Sequence, residues 1–208
     1  MSDEHAHDAD ASEDGRGSHE HDQHDEAGSH DHHHHDVHHL GVAVVTVSSS
    51  RSLDDDPAGD AIAATLEASG HELVTRELVR DDFDRVQGTV HNLVGRKDVD
   101  AVVTTGGTGV TPDDVTVEAT EPVFDKELPG FGELFRQRSY EAVGTMVVAT
   151  RATAGVADGT PVFCLPGSEN AATLGSELVV DTAGHLRGLA MRDDDEHDDD
   201  EHDHEHHE

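Results

Sequence analysis

The sequence holds a single cysteine, Cys164, no tryptophan, one tyrosine and five phenylalanines among 208 residues. One thiol cannot close an internal disulfide. Its neighbours Val162, Phe163 and Leu165 read as a buried strand, in which the thiol packs as a small hydrophobe rather than acting as a nucleophile. No run approaches the roughly 18 apolar residues of a membrane span, and the first residues have neither the basic start nor the apolar stretch of a secretory signal. A soluble, cytoplasmic chain with no membrane partner is expected. Basic residues are also scarce: 13 Lys and Arg stand against 47 Asp and Glu, a formal net charge of -34. A nucleic-acid backbone would be repelled by that field, and no basic stripe offsets it, so nucleic acid is excluded as a partner.

The charge is not spread evenly. Residues 1–39 hold 12 acids and one base, residues 193–208 hold 11 acids and no base, and the 153 residues between hold 24 acids and 12 bases. Of the 20 histidines, only His71, His91 and His185 lie in the middle segment. The composition predicts a disordered His/Asp-rich tail over 1–39, one domain over 40–192 and a second disordered acidic, His-rich tail over 193–208. The tails are read as solvating segments. A second reading is a loose, multivalent buffer of Zn²⁺, Ni²⁺ or Cu²⁺, since imidazole suits these ions but the tails have no fixed spacing and no cysteine. The domain has only two lysines, Lys97 and Lys126, few aromatics and many carboxylates. That pattern suits molar salt, which screens surface repulsion to about 3 Å. The cytoplasm of a halophilic archaeon is the expected setting.

Within the domain, short apolar runs alternate with helical spacing, as in alternating strands and helices. Strands are predicted at 42–47, 73–79, 101–104 and 162–165. Helices are predicted at 58–69 (stopped by Gly70), 83–94, 130–142 and 168–180. The expected fold is α/β: three layers, α/β/α, around a mostly parallel sheet. Ligands bind beyond the carboxyl ends of the strands in such sheets. Those ends carry Ser48, Ser49, Ser50 and Arg51 with Asp54 to Asp56; Asp81 and Asp82; Thr105, Gly106, Gly107, Thr108 and Gly109 with Asp113 and Asp114; and Pro166, Gly167 and Ser168.

The glycine loop is read in two ways, as a cradle whose amides and threonine hydroxyls take phosphate or a polar ring, or as an ordinary tight turn. It is neither a P-loop, which needs Gly-Lys-Ser/Thr, nor the dinucleotide fingerprint, because Pro112 stands where the third glycine would be. Asp114 is read either as a helix N-cap or as a Mg²⁺ ligand beside phosphates, and Asp81 and Asp82 face the same choice before the helix at 83–94. Phe131, Phe135 and Tyr140 read as core or subunit contact. The three internal histidines read as surface or capping residues.

Several motifs in series carry a resemblance. They are Thr104 to Gly109, Asp114-Val115-Thr116 with Glu118-Ala119-Thr120, and Pro129-Gly130-Phe131-Gly132-Glu133. Gly144-Thr145, Arg151-Ala152 with Ala154-Gly155-Val156, and Leu165-Pro166-Gly167-Ser168 follow in order. Over residues 40 to about 180 the chain resembles the MoaB/Mog family of molybdenum cofactor biosynthesis proteins. The resemblance implies a molybdopterin-binding fold and, in catalytic members, adenylylation of molybdopterin with Mg²⁺ and ATP. It places the catalytic, Mg²⁺-binding aspartates on Asp81, with Asp82 as its alternative, and on Asp114. It assigns molybdopterin to Thr105, Gly106, Gly107, Thr108, Gly109 and Thr150, and the nucleotide to Ser48, Ser49, Ser50, Arg51, Pro166, Gly167 and Ser168. A homotrimer or homohexamer and a downstream MoeA-like insertase are also implied. Ser168-Glu169 replaces the Asn-Pro of adenylylating relatives, a feature of the MoaB branch, some of whose members are inactive. A non-catalytic molybdopterin-binding protein of the same pathway is therefore the alternative.

Overall fold

The computed structural model describes residues 36–192. Both predicted tails fall outside the described residues, except for positions 36–39. There the chain is already bound to the domain: the Val37 amide donates to the Gly184 carbonyl at 3.2 Å, and Asp36 pairs with His185 at 2.8 Å. The His39 ring bonds the Gly70 carbonyl at 2.5 Å. The packed region thus begins before residue 40.

Six strands form one sheet in the order β2-β1-β3-β6-β5-β4. They are β1 (Gly41–Val47), β2 (Glu72–Val79), β3 (Ala101–Thr105), β4 (Lys126–Glu127), β5 (Thr153–Ala157) and β6 (Thr160–Leu165). The helices are α1 (Pro57–Ala68), α2 (Phe83–Val94), α3 (Thr116–Thr120), α4 (Pro129–Val143) and α5 (Glu169–Ala190), with 3₁₀ turns at Glu121–Val123 and Gly144–Ala149. β1 pairs in parallel with β2 and β3, and β3 with β6. The expected mostly parallel α/β/α architecture holds for these four strands, and β4 and β5 add an antiparallel edge.

Alternation along β1 explains the layers, because successive side chains of a strand face opposite sides. Val42 and Val44 join α1, α4 and α5 through Ile62, Leu66, Phe135, Leu178 and Val179. Ala43, Val45 and Val47 join α2 and the α3 region through Val86, Val90, Leu93 and Ala119. Phe131 of α4 meets Phe163 of β6 in a tilted ring pair with centroids 5.1 Å apart, whereas Tyr140 lies exposed. Phe83, at the first position of α2, is also exposed.

The sequence-based expectation lacks the short elements β4 and α3, and it differs from the structure in two larger ones. The β5–β6 hairpin was not predicted, yet its turn is Asp158-Gly159, both with positive φ (47° and 72°). Such a pair is the strongest short-range hairpin signal. Helix α5 continues ten residues past the expected end at 180, through Gly184 and Gly188. A Cβ at Gly184 would lie 2.4 Å from the Val37 carbonyl oxygen, so this glycine lets the incoming segment lie on the helix.

Candidate active site at the carboxyl ends of the strands

The parallel strands β1, β2, β3 and β6 all release their loops at one end of the sheet, and three helices begin there. Asp56 caps α1, Asp82 caps α2 and Ser168 caps α5, each accepting from a backbone amide two or three residues into its helix. Helix N-termini carry partial positive charge and unpaired amides, so this end of the fold suits phosphate groups.

The loop after β3 is built from its glycines. Gly106 and Gly107 have φ of +99° and +65°, and a Cβ would lie 2.3 Å from the Val47 carbonyl oxygen at Gly106 and 2.3 Å from the Thr116 hydroxyl at Gly107. Thr116 in turn donates to the Gly106 carbonyl at 2.7 Å. Both readings of this loop therefore have content: the glycines are demanded by a tight turn, and that turn sits at the mouth. Of the two threonine hydroxyls expected to face a ligand, that of Thr105 is placed otherwise. Thr105 is fully buried and donates to the Pro166 carbonyl at 3.0 Å, while Thr108 is 2% exposed. Thr105 anchors the loop, and Gly107 and Gly109 are the members left partly open.

Asp114 does not cap α3. Val115 precedes that helix with no side-chain cap, and the Asp114 carboxylate turns back to accept from the Thr111 amide at 2.8 Å and the Thr111 hydroxyl at 2.6 Å. Burial pushes this carboxyl up, but the Thr111 bonds, the Gly109 amide and the Arg151 guanidinium outweigh it and hold it below the usual carboxylate range. Of the neighbouring pair after β2, Asp82 is the cap, accepting from the Arg85 amide at 3.0 Å. Asp81 is half-buried; its amide is held by the Ser49 hydroxyl at 3.3 Å, and its carboxylate has no protein partner among the described residues.

The first loop and the last turn meet. The Ser48 hydroxyl accepts from the amides of Ser50 and Arg51, and the Arg51 guanidinium donates to the Gly167 carbonyl at 2.9 Å. Gly167 in turn packs on Gly106, with room for a Cβ only at 3.0 Å from the Gly106 Cα. Ser48 to Arg51, Pro166 to Ser168 and the glycine loop are thus one assembly. Beside it opens a groove of about 260 Å³ lined by Phe135, Ser139, Met146, Thr150, Pro166 and Ser168.

Two residues that organise the site were not singled out from the sequence. Asp56, the last of an acidic triplet, is fully buried. Its carboxylate accepts from the Thr46 hydroxyl at 2.5 Å, the Gly59 amide at 3.1 Å, and Arg76 and Arg51 at 2.7 and 3.5 Å. Gly59 is required by this cluster, since a Cβ would sit 2.2 Å from the Asp56 carboxylate. Arg151, seen before only as part of a motif, ties the glycine loop to Asp114 and Glu118. Position next to a proline and a glycine was the one sequence signal for Asp56; its partner Arg76 lies 20 residues away.

Among the described residues no three His, Cys, Asp or Glu side chains form a metal cage. A Mg²⁺ ion does not need one, because it takes one or two carboxylates and completes its shell with water and substrate phosphates. The free carboxylate of Asp81 and the ionised Asp114 fit that role. Asp81 follows β2 directly, and Asp114 lies in the loop after β3, with β1 between the two strands.

Comparison with known proteins agrees with this geometry. Residues 43–185 match the family described as "Probable molybdopterin binding domain". The chain is 44% identical over 147 residues to molybdenum cofactor biosynthesis protein B of Bacillus subtilis, covering 69% of this chain and 85% of that protein. It is 36% identical over 159 residues to a Methanocaldococcus jannaschii protein named "Probable molybdopterin adenylyltransferase", covering 73% and 94%. The crystal structure of the tungsten cofactor synthesizing protein MoaB from Pyrococcus furiosus superposes with a TM-score of 0.66 at 39% identity, covering 74% of this chain and 98% of that one. Matched over most of the domain by this family and by these relatives, with the same sheet architecture, the chain belongs to the MoaB/Mog family of molybdenum cofactor biosynthesis proteins.

Proposed function

We propose that the protein adenylylates molybdopterin, using ATP and Mg²⁺ and releasing pyrophosphate. The observation that carries this reading is the pair of carboxylates, Asp81 and Asp114, standing on either side of β1 at a mouth where three helix N-termini converge. In the reaction a terminal phosphate oxygen of molybdopterin attacks the α-phosphorus of ATP. The bond from that phosphorus to the oxygen bridging to the β-phosphate breaks, and pyrophosphate leaves with the electron pair. The chain must hold the two phosphates in line and neutralise charge on the leaving group. Asp81 and Asp114 are the residues that would hold Mg²⁺, which would supply that neutralisation when bound. The amides around Gly107 and Gly109, with Thr150 across the groove, take molybdopterin; Ser48 to Arg51 and Pro166 to Ser168 take the nucleotide. Asp114 stays ionised throughout the physiological range, because its hydrogen bonds and the nearby Arg151 hold its pKa below the ordinary carboxylate value.

Purified protein incubated with molybdopterin, Mg²⁺ and ATP yields adenylyl-molybdopterin and pyrophosphate, and Asp114→Asn yields neither. Binding of molybdopterin without product would replace this reading with that of a non-catalytic pterin carrier.

The same reading extends to the chain's surroundings. The product passes to a MoeA-like insertase that adds molybdenum or tungsten, in a cytoplasm rich in salt. No helix among the described residues is long and apolar enough to cross a membrane. The chain works as a homotrimer or homohexamer, and the exposed Tyr140, Val143, Met146 and Val148 supply apolar surface for a second copy. Sedimentation in molar salt tests this; a monomer at micromolar concentration sinks it.

A further inference from the structure

We infer that Arg151 is the positioning residue of this site, holding the loop between β3 and α3 in the shape that presents Asp114, with Glu118 as its counter-anchor. The kinetic part of this inference rests on the adenylylation reading; the structural part does not.

The loop has little of its own to fix it. Its inner end is secured by Thr116, whose amide and hydroxyl bond the carbonyls of Gly107 and Gly106. The outer half, from Thr108 to Asp114, leads into a five-residue helix without a side-chain cap. Within it the Asp114 amide bonds the Thr111 carbonyl, a closure too local to set where the loop lies. Arg151, which enters from the segment before β5, supplies that placement. Its amide donates to the Thr108 carbonyl at 2.9 Å, its Nε to the Gly109 carbonyl at 2.7 Å and its Nη2 to the Asp114 carbonyl at 3.1 Å. Nη1 pairs with the Glu118 carboxylate.

The guanidinium is therefore spent on two backbone carbonyls of the loop and one carboxylate of α3, and it serves the reaction by placing Asp114 rather than by touching phosphate. A planar fork with fixed donor directions can bridge three acceptors at once, whereas an ammonium on a flexible stem reaches one of them. Gly109 belongs to the same device: a Cβ there would lie 2.8 Å from the Asp114 carboxylate, so only glycine lets the carboxylate fold back over the loop.

The test uses the full chain with Arg151→Lys, Arg151→Gln and Glu118→Gln. Hydrogen exchange of the peptide spanning 106–116 is expected to rise about tenfold in both Arg151 variants, with the amides of β1 and β6 unchanged. In the adenylylation assay kcat falls about 100-fold and the Mg²⁺ concentration for half-maximal rate rises, while KM for ATP moves less than threefold. Glu118→Gln removes a half-exposed carboxylate, so it keeps the fold intact, and its kcat falls about tenfold with a smaller rise in exchange. Wild-type exchange of the loop in Arg151→Gln overturns the inference, as does loss of protection spread equally over the whole sheet. If the wild-type protein makes no adenylylated product, the activity reading fails while the exchange measurement still decides the role of Arg151.

Discussion

The Arg51 guanidinium donates to the Gly167 carbonyl at 2.9 Å, across 116 residues of sequence. The loop leaving β1 and the turn leaving β6 are two strands apart in the sheet, and this bond makes them one wall. A hydrogen bond from a charged donor contributes about 1.5–3 kcal/mol. Arg51→Met is expected to raise KM for ATP at least tenfold while leaving KM for molybdopterin within about threefold. Steady-state kinetics with each substrate varied in turn checks this; an equal rise in both constants would mean that the two loops do not divide the substrates as proposed.

Glycine substitutions separate required from dispensable positions. Gly106→Ala forces a side chain to φ of +99° and to 2.3 Å from the Val47 carbonyl oxygen, and should destabilise the domain by about 2–5 kcal/mol. Gly88 lies inside α2, where an added Cβ meets nothing within 4 Å, so Gly88→Ala should stabilise by about 0.5–1 kcal/mol. Denaturant titrations of both variants in the same salt give the comparison. A Gly106→Ala variant as stable as the parent would show that the loop is free to reshape.

Asp56 sets an acid limit on stability. Burial raises its carboxyl, but the bonds from Thr46, Arg76 and Gly59 outweigh that and hold it below the ordinary 3.8. A carboxyl depressed in the folded state lends its stability above the unfolded value, and that stability is lost as pH falls through the folded one. Asp56→Asn should therefore cost about 3–5 kcal/mol at pH 7 by removing the charge from the fully buried acceptor of Thr46, Gly59 and Arg76. The gap to the wild type should narrow as pH drops below 3.8. Melting curves from pH 7 to 3 test the sign; a gap that widens in acid refutes it.

Cys164 should be chemically silent in the folded protein. Burial pushes its thiol up to about 11, so at pH 8 the thiolate fraction is on the order of one part in a thousand, inside a fully covered strand. A thiol reagent should label one equivalent in denaturant and none in the native state over hours. Rapid native labelling would mean that β6 opens locally, far below the stability of its neighbours.

How far the sequence revealed this arrangement depends on whether a residue's role is local. The run at 42–47 declared a strand covered on both faces because no polar residue interrupts it, and Gly70 marked the end of α1 because only the left-handed region suits that turn. The glycine loop was visible as a loop, but the burial of Thr105 was not, since its partner Pro166 arrives from 61 residues away. Asp114 looked like a helix cap because it precedes an apolar segment by two residues; its carboxylate instead closes on Thr111, behind it. Asp56 looked like one of three surface acids until the fold set it against Arg76 and Arg51. Only the hairpin turn at Asp158-Gly159 was legible and overlooked.

The glycine at position 184 has a consequence for how charge is distributed along the molecule. By letting the Val37 backbone lie on α5, it brings the chain in at the amino ends of the strands. Helix α5 runs back from the mouth to that same pole, where Arg187 meets the Gly159 carbonyl and Asp100. Both acidic, His-rich segments are thus joined to the domain, at residues 36 and 192, at the pole opposite the loops that leave the parallel strands. For the polyanionic substrate of the proposed function, the mouth therefore opens on the side away from the two points, residues 36 and 192, where the acidic segments join the domain.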